Sequence, residues 1–295
     1  MNPISLLFIA LGILAILFAW YWGRAIVRAK TALQFPTLLQ LGVGFVVNFF
    51  DTLGIGMYAP TTSIFKLKRM VDDRLIPGTL NVGSALTGVL QTFIIVALIA
   101  VDARTLLLMI ASATIGAWLG AGVVANLPKR KMQIGMGTAL LVSDTLMLLS
   151  LFHLLPAGGD AIGVTGAALA LAVLVNFILG ALMTLGIGMY APSMIMVSLL
   201  GMSPKAAFPI MMGSCAFLVP VASIRFIREN SYALRPALGL TLGGIPAILI
   251  AAFLVREMPL LYLRWVVVVV VLYAATSMLR SAFATREIAA EAQLS

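Results

Sequence analysis

Two carboxylates, Asp51 and Asp144, stand inside apolar sequence. A charged side chain at membrane depth is costly, and such an acid defaults to a functional role. Asp51 abuts a segment that loosens the backbone, Gly54-Ile55-Gly56-Met57-Tyr58-Ala59-Pro60. Glycine frees the chain, and proline removes a donor and stops a helix. A helix broken inside a bilayer survives only where the break is buried in protein or lines a wet cavity. Where the helix restarts, its unpaired N–H groups and partial positive charge suit an anion. An acid beside an anion repels it unless protonated, so Asp51 is expected either to couple transport to protons or to cap the restarting helix. Asp144, within the apolar segment 132–155, is expected to be a second proton group or a hydrogen-bonded structural acid.

The broken segment occurs twice. Residues 52–60 return letter for letter at 184–192, an offset of 132 residues that also carries Pro77 to Pro209. With small slips, Gly83-Ser84 corresponds to Gly213-Ser214 and Leu127-Pro128 to Met258-Pro259. Self-similarity at a fixed offset marks an internal repeat. The chain is therefore two homologous halves behind an additional N-terminal segment. Paired Gly/Pro-broken segments at matching positions are the best sequence pointer to a transporter's binding site. The candidate substrate-binding residues are Gly54, Gly56, Gly186 and Gly188 at the breaks, with the hydroxyls of Tyr58, Thr61, Tyr190 and Ser193 beside them. Asn81 and Ser84 on the following helix, and Ser214 in the second half, complete the set. Asp51 has no acidic counterpart in the second half, where Met183 stands. Asn48 and Asn176 lie in the two first arms, but at a different offset.

Composition narrows the function classes. The chain is 62% hydrophobic and 10% charged, with mean hydropathy +1.12. Soluble chains run nearer half apolar and a quarter charged. The net charge of +9 fits lysines and arginines kept on the cytoplasmic side better than nucleic-acid binding. A single cysteine, Cys215, excludes an internal disulfide and a thiolate metal cluster. It reads as a small packing residue, and Met194, Met196, Met211 and Met212 as adaptable filler. One histidine, His153, leaves no His-rich metal site and no nucleophile–base constellation. No cofactor, metal or catalytic set is expected, and no ATP-binding motif is present.

The elements that position these residues follow from apolar runs of about 20 residues, the length that crosses a bilayer. Residues 4–22 form an N-terminal span with basic residues only after it, the reverse of a cleaved signal peptide. A broken element covers 37–68, with its break at 51–60. Spans at 79–100, 105–127 and 132–155 follow. The second half repeats the plan with a broken element at 163–200 and spans at 206–224, 236–255 and 260–278. If each broken element returns to the side it entered from, every one of the 19 lysines and arginines faces the cytoplasm except Arg104, Lys205, Arg256 and Arg264. One crossing per broken element would divide them almost evenly. The positive-inside rule prefers the first arrangement. It sets the N-terminus outside and the C-terminus in the cytoplasm, and it inverts the two halves with respect to each other. Whether the hairpins dip halfway or cross fully stays open. Gly116-Ala-Trp-Leu-Gly120 and Gly239-Leu-Thr-Leu-Gly243 are GxxxG patterns, suited to contact within the chain or to a homodimer.

At the repeated motifs the chain resembles the TauE/SafE family, the sulfite-exporter or DUF81-type permeases. In that family each half opens on a segment of the form Gly-Ile-Gly-Gly-Gly, followed by a proline region and a helix beginning near Gly-Thr-Ser. Gly54-Ile55-Gly56, Pro60 and Gly83-Ser84 stand for this pattern, as do Gly186-Ile187-Gly188, Pro192 and Gly213-Ser214. The resemblance spans about residues 37–280. Met57-Tyr58 and Met189-Tyr190 replace the later glycines, and the N-terminal span is additional. The resemblance implies export of a small sulfur-containing anion, such as sulfite or an organosulfonate, across the bacterial inner membrane.

The expected protein is an all-α polytopic membrane protein with two inverted repeats, each a glycine/proline-broken helical hairpin plus three transmembrane helices. The extra N-terminal span occupies 1–30, the repeats 31–156 and 157–283, and a cytoplasmic tail 284–295. It would carry a small anion by alternating access with proton coupling. A passive anion channel is the alternative, and an intramembrane enzyme a weaker one.

Overall fold

In the computed structural model the described residues are 3–28, 35–52, 56–95, 101–154, 158–185, 189–203, 206–254 and scattered positions between 265 and 283. They are α-helical, with a single isolated bridge between Ala161 and Met202 and no strand among them. The helices are α1 (Pro3–Arg28), α2 (Leu38–Thr52), α3 (Tyr58–Leu67), α4 (Ile76–Ile95), α5 (Ala103–Ala125), α6 (Lys129–Leu151), α7 (Gly166–Met183), α8 (Tyr190–Leu199), α9 (Ala207–Arg228) and α10 (Leu234–Leu254). A 3-10 turn, Asp73–Leu75, leads into α4.

Among the described residues, five helices are long and apolar enough to cross a membrane, namely α1, α5, α7, α9 and α10. This is an all-α, multi-pass membrane protein. Sequence reading expects seven full spans. Two more of these, α4 and α6, have the length, with 20 and 23 residues, and α4 carries Thr79, Asn81, Ser84, Thr87, Gln91 and Thr92 within it. The expected span at 260–278 and the tail at 284–295 fall largely or wholly outside the described residues.

Both second arms are short. α3 and α8 have 10 residues each and the same bounds at the 132-residue offset. At 1.5 Å per residue each is roughly 15 Å long, about half a bilayer core. The first arms are longer, with 15 residues in α2 and 18 in α7.

The helices pack in corresponding pairs. α2 lies on α10 and α7 on α5; α10 lies on α4 and α5 on α9; α4 and α9 cross each other. Small residues permit the closest approaches. A Cβ on Gly44 would collide with the Gly239 carbonyl, and one on Gly180 with the Ala113 carbonyl. The GxxxG glycines are used within the chain: Gly116 and Gly120 face the α7 backbone, and Gly239 and Gly243 face α2. The buried amides fasten the same seams. Asn48 Nδ2 donates to the Gly44 carbonyl at 2.8 Å and reaches the Leu240 carbonyl at 3.3 Å. Asn176 Nδ2 donates to the Met109 carbonyl at 2.7 Å. α1 lies against α9 and α4, burying Leu11, Phe18 and Trp22.

α5 begins on a capping acid. The Asp102 carboxylate accepts from the Thr105 backbone N–H and from its hydroxyl, both at 2.8 Å. These bonds, the backbone one first, hold its carboxyl below the ordinary carboxylate range. A depressed folded value stabilises the fold above the unfolded value and loses that contribution as pH falls through the folded one.

Two outcomes are expected. Gly44→Ala lowers stability by about 1–3 kcal/mol through overpacking, while Gly42→Ala, which meets nothing within 4 Å, does not; thermal unfolding in detergent compares them. Asp102→Ala costs about 1 kcal/mol near neutral pH, and the difference from wild type closes as pH is lowered below the carboxylate range. A difference that persists in acid would assign the loss to something other than the charged cap.

Candidate functional site

The two breaks converge. Asp51, Gly56, Met57 and Tyr58 from the first, and Met183 and Met189 from the second, line one cavity of ≈ 80 Å³. Ser84, Gly88, Gln91 and Thr92 of α4 and Met211, Met212, Cys215 and Val219 of α9 complete its wall. A single water needs roughly 10–15 Å³ by this measure, so the space holds several waters or one small molecule.

Local backbone explains how the residues arrive there. Gly56 has φ +86°, in the left-handed region where only glycine is unstrained. That turn lets α3 start at Tyr58 instead of continuing α2. Pro60 sits within the first turn of α3, where its missing N–H breaks no helical bond. Neither α3 nor α8 has a side chain capping it at the N-cap residue, Met57 or Met189. Asp51, at the end of α2, lies within hydrogen-bonding reach of the Met57 backbone N–H and of Gln91. It thus faces the positive end of α3 and the cavity together.

Polar and soft groups divide the wall between the halves. The first half brings the carboxyl of Asp51, the amide of Gln91 and the hydroxyls of Tyr58, Ser84 and Thr92. Tyr58 Oη and Ser84 Oγ are 3.1 Å apart, and Ser84 Oγ also donates to the Leu80 carbonyl at 2.7 Å. Thr92 Oγ1 ties the two halves together by donating to the Met212 carbonyl at 3.1 Å. The second half brings mainly sulfur, from Met183, Met189, Met211, Met212 and Cys215. No lysine, arginine or histidine is among the lining residues. No group of three His, Cys, Asp or Glu residues is placed to hold a metal among the described residues.

Of the residues singled out from sequence, Asp51, Gly56, Tyr58 and Ser84 line the cavity. Gly54, Gly186 and Gly188 lie outside the described residues, as does the side chain of Tyr190, the first residue of α8. Thr61 and Asn81 are buried and turned to their own helices, donating to the Met57 carbonyl at 2.6 Å and the Pro77 carbonyl at 2.8 Å. Ser214 bonds Asn176 at 3.1 Å, in the seam beside the cavity. Ser193 is fully buried, and its hydroxyl has no partner among the described residues. Asp144 is buried in α6 away from the cavity, with Oδ1 likewise unpartnered. The structure therefore does not bring the two acids together.

Gly88, Gln91, Thr92 and the sulfur residues were not among those candidates. Gln91 shares a helical face with Ser84, one signal that points to it. The repeat offset gives another, since it carries Asp51 to Met183 and Met57 to Met189. No family model, no curated protein and no solved structure matches this chain.

Cys215 is the only cysteine, so a thiol reagent reports on this space alone. A small membrane-permeant methanethiosulfonate should modify it in folded protein. Gly88→Leu, which puts a side chain where a Cβ meets nothing within 4 Å, should slow that reaction without lowering the melting temperature. Equal rates in both proteins would mean that the thiol is reached from elsewhere.

Proposed function

We propose that this chain is a secondary transporter whose substrate site is the cavity between the two breaks. The observation that carries the reading is convergence: each half delivers the start of a half-length helix, at Met57-Tyr58 and at Met189, to one shared cavity. Discontinuous helices meeting near a repeat interface are the usual construction of a carrier's site. The exchange of helix pairs under the 132-residue offset, together with the positive-inside argument, supports an inverted repeat with the N-terminus outside and the C-terminus in the cytoplasm.

The substrate in this reading is a small anion. Two helix N-termini supply partial positive charge without a buried lysine or arginine. Resemblance to the TauE/SafE permeases makes it a sulfur-containing anion and the membrane a bacterial inner membrane. Asp51 supplies the coupling. Its carboxylate faces the same helix terminus that an anion would use, so an anion enters favourably only once that carboxyl is protonated. Anion and proton then bind together, and linkage makes each raise the other's affinity. A gradient acid outside drives such a pair inward, and export, which the resemblance implies, requires an opposing substrate gradient.

The test is uptake into proteoliposomes of sulfite, sulfate, thiosulfate, taurine and acetate, with and without an imposed pH gradient. One of the sulfur anions is expected to accumulate with the gradient. Asp51→Asn should retain binding but lose the gradient dependence, and Gly88→Leu should lose flux while remaining folded. No flux of any anion in folded protein would overturn the anion reading. Undiminished pH coupling in Asp51→Asn would remove Asp51 from it.

A further inference from the structure

The six sulfur-bearing residues around the cavity are Met57, Met183, Met189, Met211, Met212 and Cys215. Methionine is common filler in cores, where it closes gaps. Here the side chains surround a space that they leave open, whereas packed interiors have few voids larger than a water. The Cys215 sulfur also approaches two of the others. Cys215 Sγ is 3.6 Å from Met183 Sδ and 3.9 Å from Met189 Sδ. With a metal–sulfur bond of ~2.3 Å, two sulfurs of a trigonal or tetrahedral shell stand roughly 3.8–4.0 Å apart. Little rearrangement separates the observed cluster from a ligand shell.

We infer that the cavity contains a binding site for a soft monovalent metal ion of the copper(I) class, with Cys215, Met183 and Met189 as ligands. Thiolate and thioether sulfur select copper(I), while calcium and magnesium take oxygen shells. Asp51 is the one acid on the wall, and no base accompanies it. Cys215 binds as the thiolate, its proton passing to the Asp51 carboxylate or to water, and that one thiolate balances a single positive charge but not two. Zinc is disfavoured further, because its sites use several thiolates or imidazoles, and neither is available here. The inference rests on the cavity being the carrier's ligand site, and not on the charge of the carried substrate.

Silver(I) is the probe, being redox-stable and of the same ligand preference. Purified full-length protein in chloride-free detergent buffer is titrated with silver nitrate by calorimetry. X-ray absorption on the complex then reads the ligand shell. One equivalent bound through sulfur alone is expected. Cys215→Ser, Met183→Leu and Met189→Leu should each weaken binding by tenfold or more, with melting temperatures close to wild type. Met194→Leu, a methionine packed in the α7–α8 cluster and not on the cavity wall, should bind as wild type does. Failure to bind one equivalent, an oxygen or nitrogen shell, or Cys215→Ser binding unchanged would each overturn the site. The same preparation in proteoliposomes separates the two readings. Anion flux without silver binding discards the metal site and leaves the carrier; silver binding with no flux of any kind keeps the site and discards the carrier.

Discussion

A helix that stops inside a bilayer leaves backbone groups that lipid cannot satisfy. The structure depends on how it meets that constraint twice. α3 and α8 are about half a bilayer long and begin among apolar residues, and neither N-cap residue closes its helix with its own side chain. Their starts must therefore be enclosed by protein, facing either polar atoms or a wet space. The surrounding helices supply the enclosure: α4 and α9 cross beside both starts, while α10 and α5 hold the first arms in place. The close seams at Gly44 and Gly180 belong to the same requirement, because a loosely held first arm would not fix the break that follows it.

The backbone answers this constraint in the same way in both halves, but the side chains do not. At corresponding positions the first half places Asp51 where the second has Met183. The cavity is thus built on near-repeated geometry and lined with unlike chemistry, polar on one wall and sulfur on the other. A duplicated scaffold makes such divergence cheap, because the helix ends and seams carry the fold and leave the lining residues free to differ.

Much of the scaffold was legible in the sequence. The repeated stretch 52–60 and 184–192 located both breaks, and the offset of 132 reproduces the bounds of α3 and α8. What escaped has a physical reason. Asn48 and Asn176 are unequal in offset, so they read as unrelated. The offset pairs Gly44 with Asn176 and Asn48 with Gly180, so each first arm carries one glycine and one asparagine four residues apart, in opposite order. Four residues are close to one turn, so both orders put the same two groups on one face. The sulfur wall escaped differently. Whether a methionine fills a core or lines a space depends on which face of its helix meets the void, and no pattern of apolar residues records that. Met194 and Met211 look alike in sequence, yet only Met211 reaches the cavity.

The halves also differ in how their short helices are fastened at the far end. Lys66, near the end of α3, pairs with Asp73 in the 3-10 turn, and Gln133 of α6 donates to the same carboxylate at 2.8 Å. The pair is largely buried, with side chains 15% and 10% exposed. Removing one partner of a buried pair costs about 3–5 kcal/mol, because the other charge is left uncompensated. The offset puts Ser198 at the place of Lys66, so the Lys66–Asp73 ion pair has no counterpart at that position. α3 is thereby tied through the turn to α6, and it brings Tyr58 to the polar wall of the cavity. The far end of α8 is fastened differently, by backbone bonds to the loop before α7: the Ser203 N–H donates to the Ala161 carbonyl at 2.8 Å and the Gly159 N–H to the Met202 carbonyl at 3.0 Å.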